Sequence, residues 1–246
     1  MPAMNAKPEK IMLPGQLLSV RSMPSLVTLN DVSDVLLFSQ LYADLKSDRF
    51  DTPALWYVRY GKAMQELKWT SSYYQRYAFE PAALTDISCE WLIEQGASSH
   101  PCELAHFKAL LSCMAGLAPD DNLAALFHRS TVKESVKKPG ASTLTLQLST
   151  LDEAAMLSSL FMTFTTTAEL TPDTYNQVFA SSSIVGEIDL RFSRYTWNIK
   201  GYEQVRAKLQ ASLSGKKDGL ILPLQCGPLV KKSDEQDQGY GPAGGA

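Results

Sequence analysis

Histidine and cysteine are scarce in this chain, three and four residues among 246, and their scarcity removes most chemistry built on imidazole or thiolate. There is no G-x-S-x-G elbow, no C-x-x-C pair and no glycine-rich phosphate loop behind a strand, so a hydrolase triad, a zinc knuckle and a nucleotide site lack their usual footing. Cys102 and His106, four apart on a helix expected behind His100-Pro101, are spaced to share an ion. Cys113 lies roughly 16 Å along the axis from Cys102 at about 1.5 Å per residue and cannot complete that site, so ordinary packing is the better reading. No metal ligand, cofactor or catalytic residue is assigned. Cys89, Cys102, Cys113 and Cys226 are too few and too irregular for a disulfide scaffold and read as reduced, mostly buried thiols.

Strong charge of one sign is missing as well. The formal net charge is −3, with no large basic footprint, which argues against a nucleic-acid partner. No apolar run reaches the ~18 residues of a membrane helix, and MPAMNAKPEKIMLPGQLLSV lacks the apolar core of a secretory signal. The expectation is a protein made in the cytoplasm, with any export by a route without a cleaved signal.

With 45% apolar residues the chain can build a large core. Residues 1–29 and 227–246 read as flexible ends around one α/β domain at 30–226. Asn30 is placed to cap a helix reaching about Lys46, Thr52-Pro53 opens a second, Thr85 caps a third that stops at Gly96, and His100-Pro101 starts a fourth ending near Gly116. A short fifth helix follows Pro119. From Leu67 to Phe79 the period becomes two, with Trp69, Tyr73, Tyr77 and Phe79 on one side of an aromatic strand interrupted near Ser71-Ser72. KESVKKPG, at 133–140, loses all periodicity and separates a helical half from a strand-rich half.

That second half holds the most informative segment. Residues 154–168, AAMLSSLFMTFTTTA, contain no charge and are either a strand buried on both faces or one able to enter lipid. Before them, Leu144, Leu146 and Leu148 alternate with polar neighbours; after them, 184–199 is a long strand whose apolar parity shifts between Phe192 and Tyr195. Such a shift predicts a bulge near Ser193-Arg194 or cover on both faces. Glu187, Asp189 and Arg191 share one face of it, expected to be a solvated edge, and Arg194 lies on the other. Tyr202, Val205, Leu209 and Leu213 define a last helix, and Leu220 to Leu224 a short strand. The layout is α+β: helices, a strand region, more helices, then an antiparallel sheet.

In order and size these elements resemble the cytolytic-toxin-like fold of the insecticidal Cyt toxins and Evf-type bacterial virulence factors. The residues that carry the likeness are 154–168, 184–199, the helix at 202–213 and the helical pair ending in Trp56-Tyr57, Tyr60 and Leu67-Lys68-Trp69. The resemblance covers roughly 30–226 and implies helices on both sides of an antiparallel sheet of long strands, in three layers. It further implies lipid binding or membrane damage, with a fatty acid as the bound molecule such a fold would hold. No cysteine here aligns with that family's acylated position.

Candidate lipid or membrane contacts are therefore Leu160, Phe161, Met162, Phe164, Tyr195 and Trp197, and candidate groove residues are Trp56, Tyr60, Trp69 and Tyr73, for which core packing is the competing reading. Three functions stay open: a non-enzymatic, toxin-like effector with a lipid or membrane as partner; a partner-binding or homo-oligomeric structural module; and an enzyme using Cys102, His106 or Cys226.

Overall fold

Six helices, four of them with a side-chain N-cap, and long strands sort into three layers among the described residues. The computed structural model describes residues 9–22, 28–118 and 120–226. In chain order the elements are β1 (Glu9–Leu13), β2 (Gln16–Val20), α1 (Leu29–Asp44), α2 (Pro53–Glu66), β3 (Trp69–Phe79), β4 (Asp86–Ser88), α3 (Cys89–Ala97), α4 (Pro101–Ala115), α5 (Asn122–Thr131), β5 (Val132–Glu134), β6 (Ser142–Leu151), β7 (Met156–Thr166), β8 (Val178–Ala180), β9 (Ile184–Trp197), α6 (Ile199–Leu213) and β10 (Leu222–Pro223). The main sheet runs β10-β1-β2-β6-β7-β9-β3, with β5 also on β6, while β4 and β8 pair separately. Every pairing in the main sheet is antiparallel except β2 with β6.

Each face of this sheet carries its own core. On one side α3, α4 and α5 bring Leu92, Ile93, Phe107, Leu110 and Phe127 onto Leu144, Leu146, Leu148, Leu160, Met162, Phe164, Ile188, Leu190 and Phe192. On the other, α1, α2 and α6 bring Val35, Leu36, Trp56, Tyr60, Tyr202 and Leu209 onto Leu18, Leu157, Phe161, Tyr195 and Trp197. The expected α+β architecture, with helices on both sides of long strands, is what the chain builds. The charge-free segment is its central strand β7, buried on both faces from Leu157 to Phe164. The turn before it forms because Asp152 Oδ1 accepts from the N–H groups of Ala154 and Met156, an Asx-type turn.

Several local expectations are corrected. Residues 9–20, part of the segment expected to be a flexible end, form the hairpin β1–β2. Their apolar residues are covered on both faces, so no period is visible, and Pro14-Gly15, with Gly15 at φ +71°, makes the turn. Helix α1 is capped by Thr28, not Asn30: Thr28 Oγ1 accepts from the Asp31 N–H while Asp31 reaches back to the Thr28 N–H, a closed capping box. Ser88, not Thr85, caps α3. The aromatic face of β3 is split by a bulge at Ser71/Tyr73, so Trp69 stacks on Trp197 at 4.6 Å in one core while Tyr73 turns to His100 and Phe192 in the other. Strand β9 needs no bulge at Ser193-Arg194; it is covered on both faces, the second alternative its parity allowed.

The cysteines are also corrected. Cys113 on α4 and Cys226 just beyond β10 form a disulfide, with Cα atoms 5.0 Å apart, because β10 pairs with β1 and brings Cys226 beside α4. Cys89 is a buried free thiol and Cys102 an exposed one. The 227–246 tail lies outside the described residues.

Candidate functional site

The informative arrangement is the pair of faces presented by β6, β7 and β9. Their register aligns Leu144 with Phe164, Leu146 with Met162 and Leu148 with Leu160, then Met162 with Leu190 and Leu160 with Phe192, so one face of the three strands is apolar through its middle. The opposite face aligns Thr143 with Thr165, Thr145 with Thr163 and Ser149 with Ser159, then Thr163 with Asp189, Phe161 with Arg191 and Ser159 with Ser193. Apart from Phe161, that middle is polar or charged. Alternation of this kind follows from the period of two along each strand, and its agreement across three neighbours gives a two-sided sheet.

The polar face is buried, and much of it is hydrogen-bonded within itself. Gln40 on α1 donates to Gln16 Oε1 at 2.7 Å, Gln16 donates to Ser149 Oγ at 2.9 Å, Ser149 and Ser159 hydroxyls meet at 3.0 Å, and Gln147 donates to Ser159 at 2.8 Å. Further along, Tyr57 on α2 and Ser193 share a hydrogen bond of 2.6 Å. Burial, with the neighbouring Tyr195 adding to it, raises the Tyr57 hydroxyl well above its ordinary value, so Tyr57 stays neutral. The charges expected on a solvated edge are instead largely enclosed: Asp189 and Arg191 are 7% and 6% exposed. Arg191 donates to Asp189 Oδ2 from Nε and Nη2 at 3.0 and 2.6 Å, and Arg76 on β3 donates to Asp189 Oδ1 at 2.9 Å and to Glu187.

The apolar face is sealed by α3, α4 and α5. Gly96 allows α3 to lie directly on β7: a Cβ there would stand 2.5 Å from Leu160 Cδ1. At the margin of this face a polar cluster anchors the start of α4. Arg194 Nη2 is 2.6 Å from Glu103 Oε1 and 3.1 Å from His100 Nδ1, and Ser158 donates to Glu103. Burial alone would raise the Glu103 carboxyl, but hydrogen bonds from its own backbone, Arg194 and Ser158, with the Arg194 charge, hold it below its ordinary value. His100 is thereby committed to Arg194 and Phe192, the latter at 4.2 Å ring to ring, while Cys102 is exposed. Among the described residues no group of three or more His, Cys, Asp or Glu is placed to hold a metal ion.

No family model and no curated protein matches this chain. Solved structures similar to it include the following two. The Evf virulence factor is 10% identical, over 83% of this chain and 84% of that one, with a TM-score of 0.37. A delta-endotoxin is 9% identical, over 73% of this chain and 80% of that one, with a TM-score of 0.38. The resemblance expected from element order thus reappears in the coordinates as a weak likeness.

The six candidate lipid contacts all lie in the two cores. Leu160, Met162 and Phe164 are under α3–α5, and Phe161, Tyr195 and Trp197 under α1, α2 and α6; none reaches the surface unless helices move. Of the groove candidates, Trp56, Tyr60 and Trp69 are core residues, and Tyr73 faces the α4 side. A groove of about 530 Å³ does exist beside them, between α2 and the β3–β9 edge. Its walls are Tyr57, Tyr74 and Tyr195, opened by Gly61, with Lys62 and Arg191 as its cations. Gly61 in mid-helix was the sequence signal for it, and the β3 bulge that brings Tyr74 to this side hid the rest.

Proposed function

We propose that this protein is a toxin-like effector that acts on lipid membranes, with β6, β7 and β9 as the membrane-active part and α3, α4 and α5 as the cover of its lipid-facing side. The observation behind this is the agreement of faces across the three strands. A strand that crosses a bilayer needs about 9–11 residues with apolar groups on the lipid side and polar groups on the lumen side. β6, β7 and β9 have 10, 11 and 14 residues and that alternation through their middle, with Arg194 at the margin of the apolar side. The charges Asp189 and Arg191 fall on the polar side, where a lumen would hydrate them. No helix among the described residues is long and apolar enough to cross a membrane. An open three-stranded sheet would leave unpaired backbone in hydrocarbon, so insertion calls for closure with further copies of the chain.

Release of an entrapped dye from liposomes tests this. A Gly96→Cys/Leu160→Cys double variant supplies the lock, because the Cβ position at residue 96 lies 3.5 Å from Leu160 Cγ, compatible with a disulfide between α3 and β7. The expected outcome is release by the wild type, no release by the oxidised double variant and recovery on reduction. Equal release by the oxidised variant, or none by the wild type on any lipid composition, contradicts the proposal.

A further inference from the structure

At the end of the molecule where β6 begins, β7 ends and β9 begins, two connections are tied together. Lys133 Nζ lies 2.5 Å from Asp48 Oδ2 and 3.7 Å from Asp51 Oδ2, and Lys137 Nζ donates to the Asp51 carbonyl at 2.6 Å, which fastens the 135–141 turn to the 45–52 loop between α1 and α2. The turn is also closed on itself. The Ser135 N–H donates to the Ala141 carbonyl at 2.9 Å, the Ala141 N–H to the Lys138 carbonyl at 3.0 Å, and the Lys138 N–H to Ser135 Oγ at 3.2 Å.

On this fixed support two large apolar side chains stand in water: Leu45 is 82% exposed and Val136 75%. Leu45 is only three residues from Asp48, so the two lie at the same end of the molecule. Lysines flank both, Lys46 beside Leu45, and Lys137 and Lys138 beside Val136. The carboxylates of the 45–52 loop and the end of α1 are already engaged, Asp44 by Arg49 and Asp48 and Asp51 by Lys133. Lys46, Lys137 and Lys138 have no carboxylate partner among the described residues.

We propose that this end docks on anionic lipid headgroups, Leu45 and Val136 entering the interfacial zone while Lys46, Lys137 and Lys138 meet headgroup charge. The inference rests on the membrane reading above and adds to it a docking surface and a lipid class. A chain of net charge −3 is repelled overall by an anionic surface, so attachment depends on a local cationic patch. Apolar side chains among the lysines fit a bilayer, which offers charge above hydrocarbon, better than a nucleic acid, which offers charge alone. Docking here also sets β6, β7 and β9 end-on to the bilayer, the orientation a spanning strand requires.

Co-sedimentation with vesicles of phosphatidylcholine alone, or mixed with phosphatidylglycerol, tests the inference, run beside dye release on the same vesicles. The variants are Lys137→Glu with Lys138→Glu, Val136→Asp, and Lys208→Glu on α6 as a surface control, each checked for folding by circular dichroism. The wild type is expected to sediment with the phosphatidylglycerol vesicles and to be released by salt. The double variant should bind at least ~25-fold more weakly, about 5-fold for each lysine lost, Val136→Asp should also weaken binding, and Lys208→Glu should bind as wild type. Wild-type binding that ignores phosphatidylglycerol, or a double variant that binds normally while the wild type releases dye, overturns the docking inference and leaves the membrane reading standing. Absence of dye release by the wild type from every vesicle overturns both.

Discussion

Asp189 and Arg191 occupy the most demanding positions in the sheet, because two full charges lie where little water reaches. Two Arg191 donors on Asp189 Oδ2, with Arg76 on Oδ1, neutralise the pair in place. Removing one member leaves the other charge buried without its partner, which typically costs on the order of 3–5 kcal/mol. Asp189→Ala is therefore expected to lower the melting temperature sharply, and the double change Asp189→Leu/Arg191→Met far less, by thermal denaturation. The histidines set a second residue-scale expectation. Burial lowers His100, His106 and His128, with the charge of Arg194 adding at His100 and that of Arg21 at His106. A basic group depressed in the folded state is protonated more readily in the unfolded chain, so stability is complete above the unfolded value of 6.5 and is lost as pH falls through it towards the folded values. Glu103, Asp31 and Asp48, all held below their ordinary values, extend the loss in the same direction at lower pH. All three histidines are on α4 and α5 or at the α4 cap, so acid acts on the cover. Melting temperature should fall between about pH 7.5 and about pH 5.5, and His100→Gln should flatten part of that slope; a flat profile in the wild type contradicts the assignment.

Among the elements, α3 lies directly against the apolar side of the sheet, and Gly96 is what permits the approach. A Gly96→Val substitution forces branched carbons against Leu160, whose Cδ1 lies 2.5 Å from the Cβ position; overpacking of this kind costs about 1–3 kcal/mol and should appear as a lower denaturation midpoint. Elements that satisfy a local rule were legible before the structure. β7 showed itself by lacking charge, β6 by strict alternation, and α2 and α4 by proline in the first turn. What escaped depends on contacts distant in sequence. The β1–β2 hairpin is buried on both sides and so has no period, the β3 bulge moves Tyr74 and not Tyr73 to the α2 side, and the Cys113–Cys226 pair exists only because β10 returns to β1. The parity shift in β9 was visible, yet only the packed helices decide that it reflects cover on both faces. Asp189 and Arg191 looked like a wet edge because alternation identifies a face without saying what lies over it.

The whole molecule is a sheet held between two covers of unlike character. On the α1–α2 side a buried polar row lies beside an apolar core of Trp56, Tyr60, Phe161 and Trp197, and exchanging each of its hydrogen bonds for one to water changes stability by only about 0.5–1.5 kcal/mol. On the α3–α5 side, separation exposes apolar surface at roughly 25 cal/mol per Å² unless lipid replaces the helices. In the proposed function a bilayer is the environment in which that second cover leaves. The disulfide opposes departure by tying α4 to the β10 end across a sequence separation of 113 residues, a closure that contributes on the order of 4–5 kcal/mol in the chain-entropy account. Reduction is expected to lower the melting temperature and to speed dye release, and Cys226→Ser should reproduce both effects without reductant. Hydrogen exchange followed by mass spectrometry, with and without anionic vesicles, tests the central claim most directly. Exchange in α3 and α4 should rise on vesicles while β6, β7 and β9 remain protected, because the cover leaves and the strands stay paired in lipid. Unchanged protection of α3 and α4 in vesicles that are being permeabilised would show that the cover stays in place, and would contradict this account.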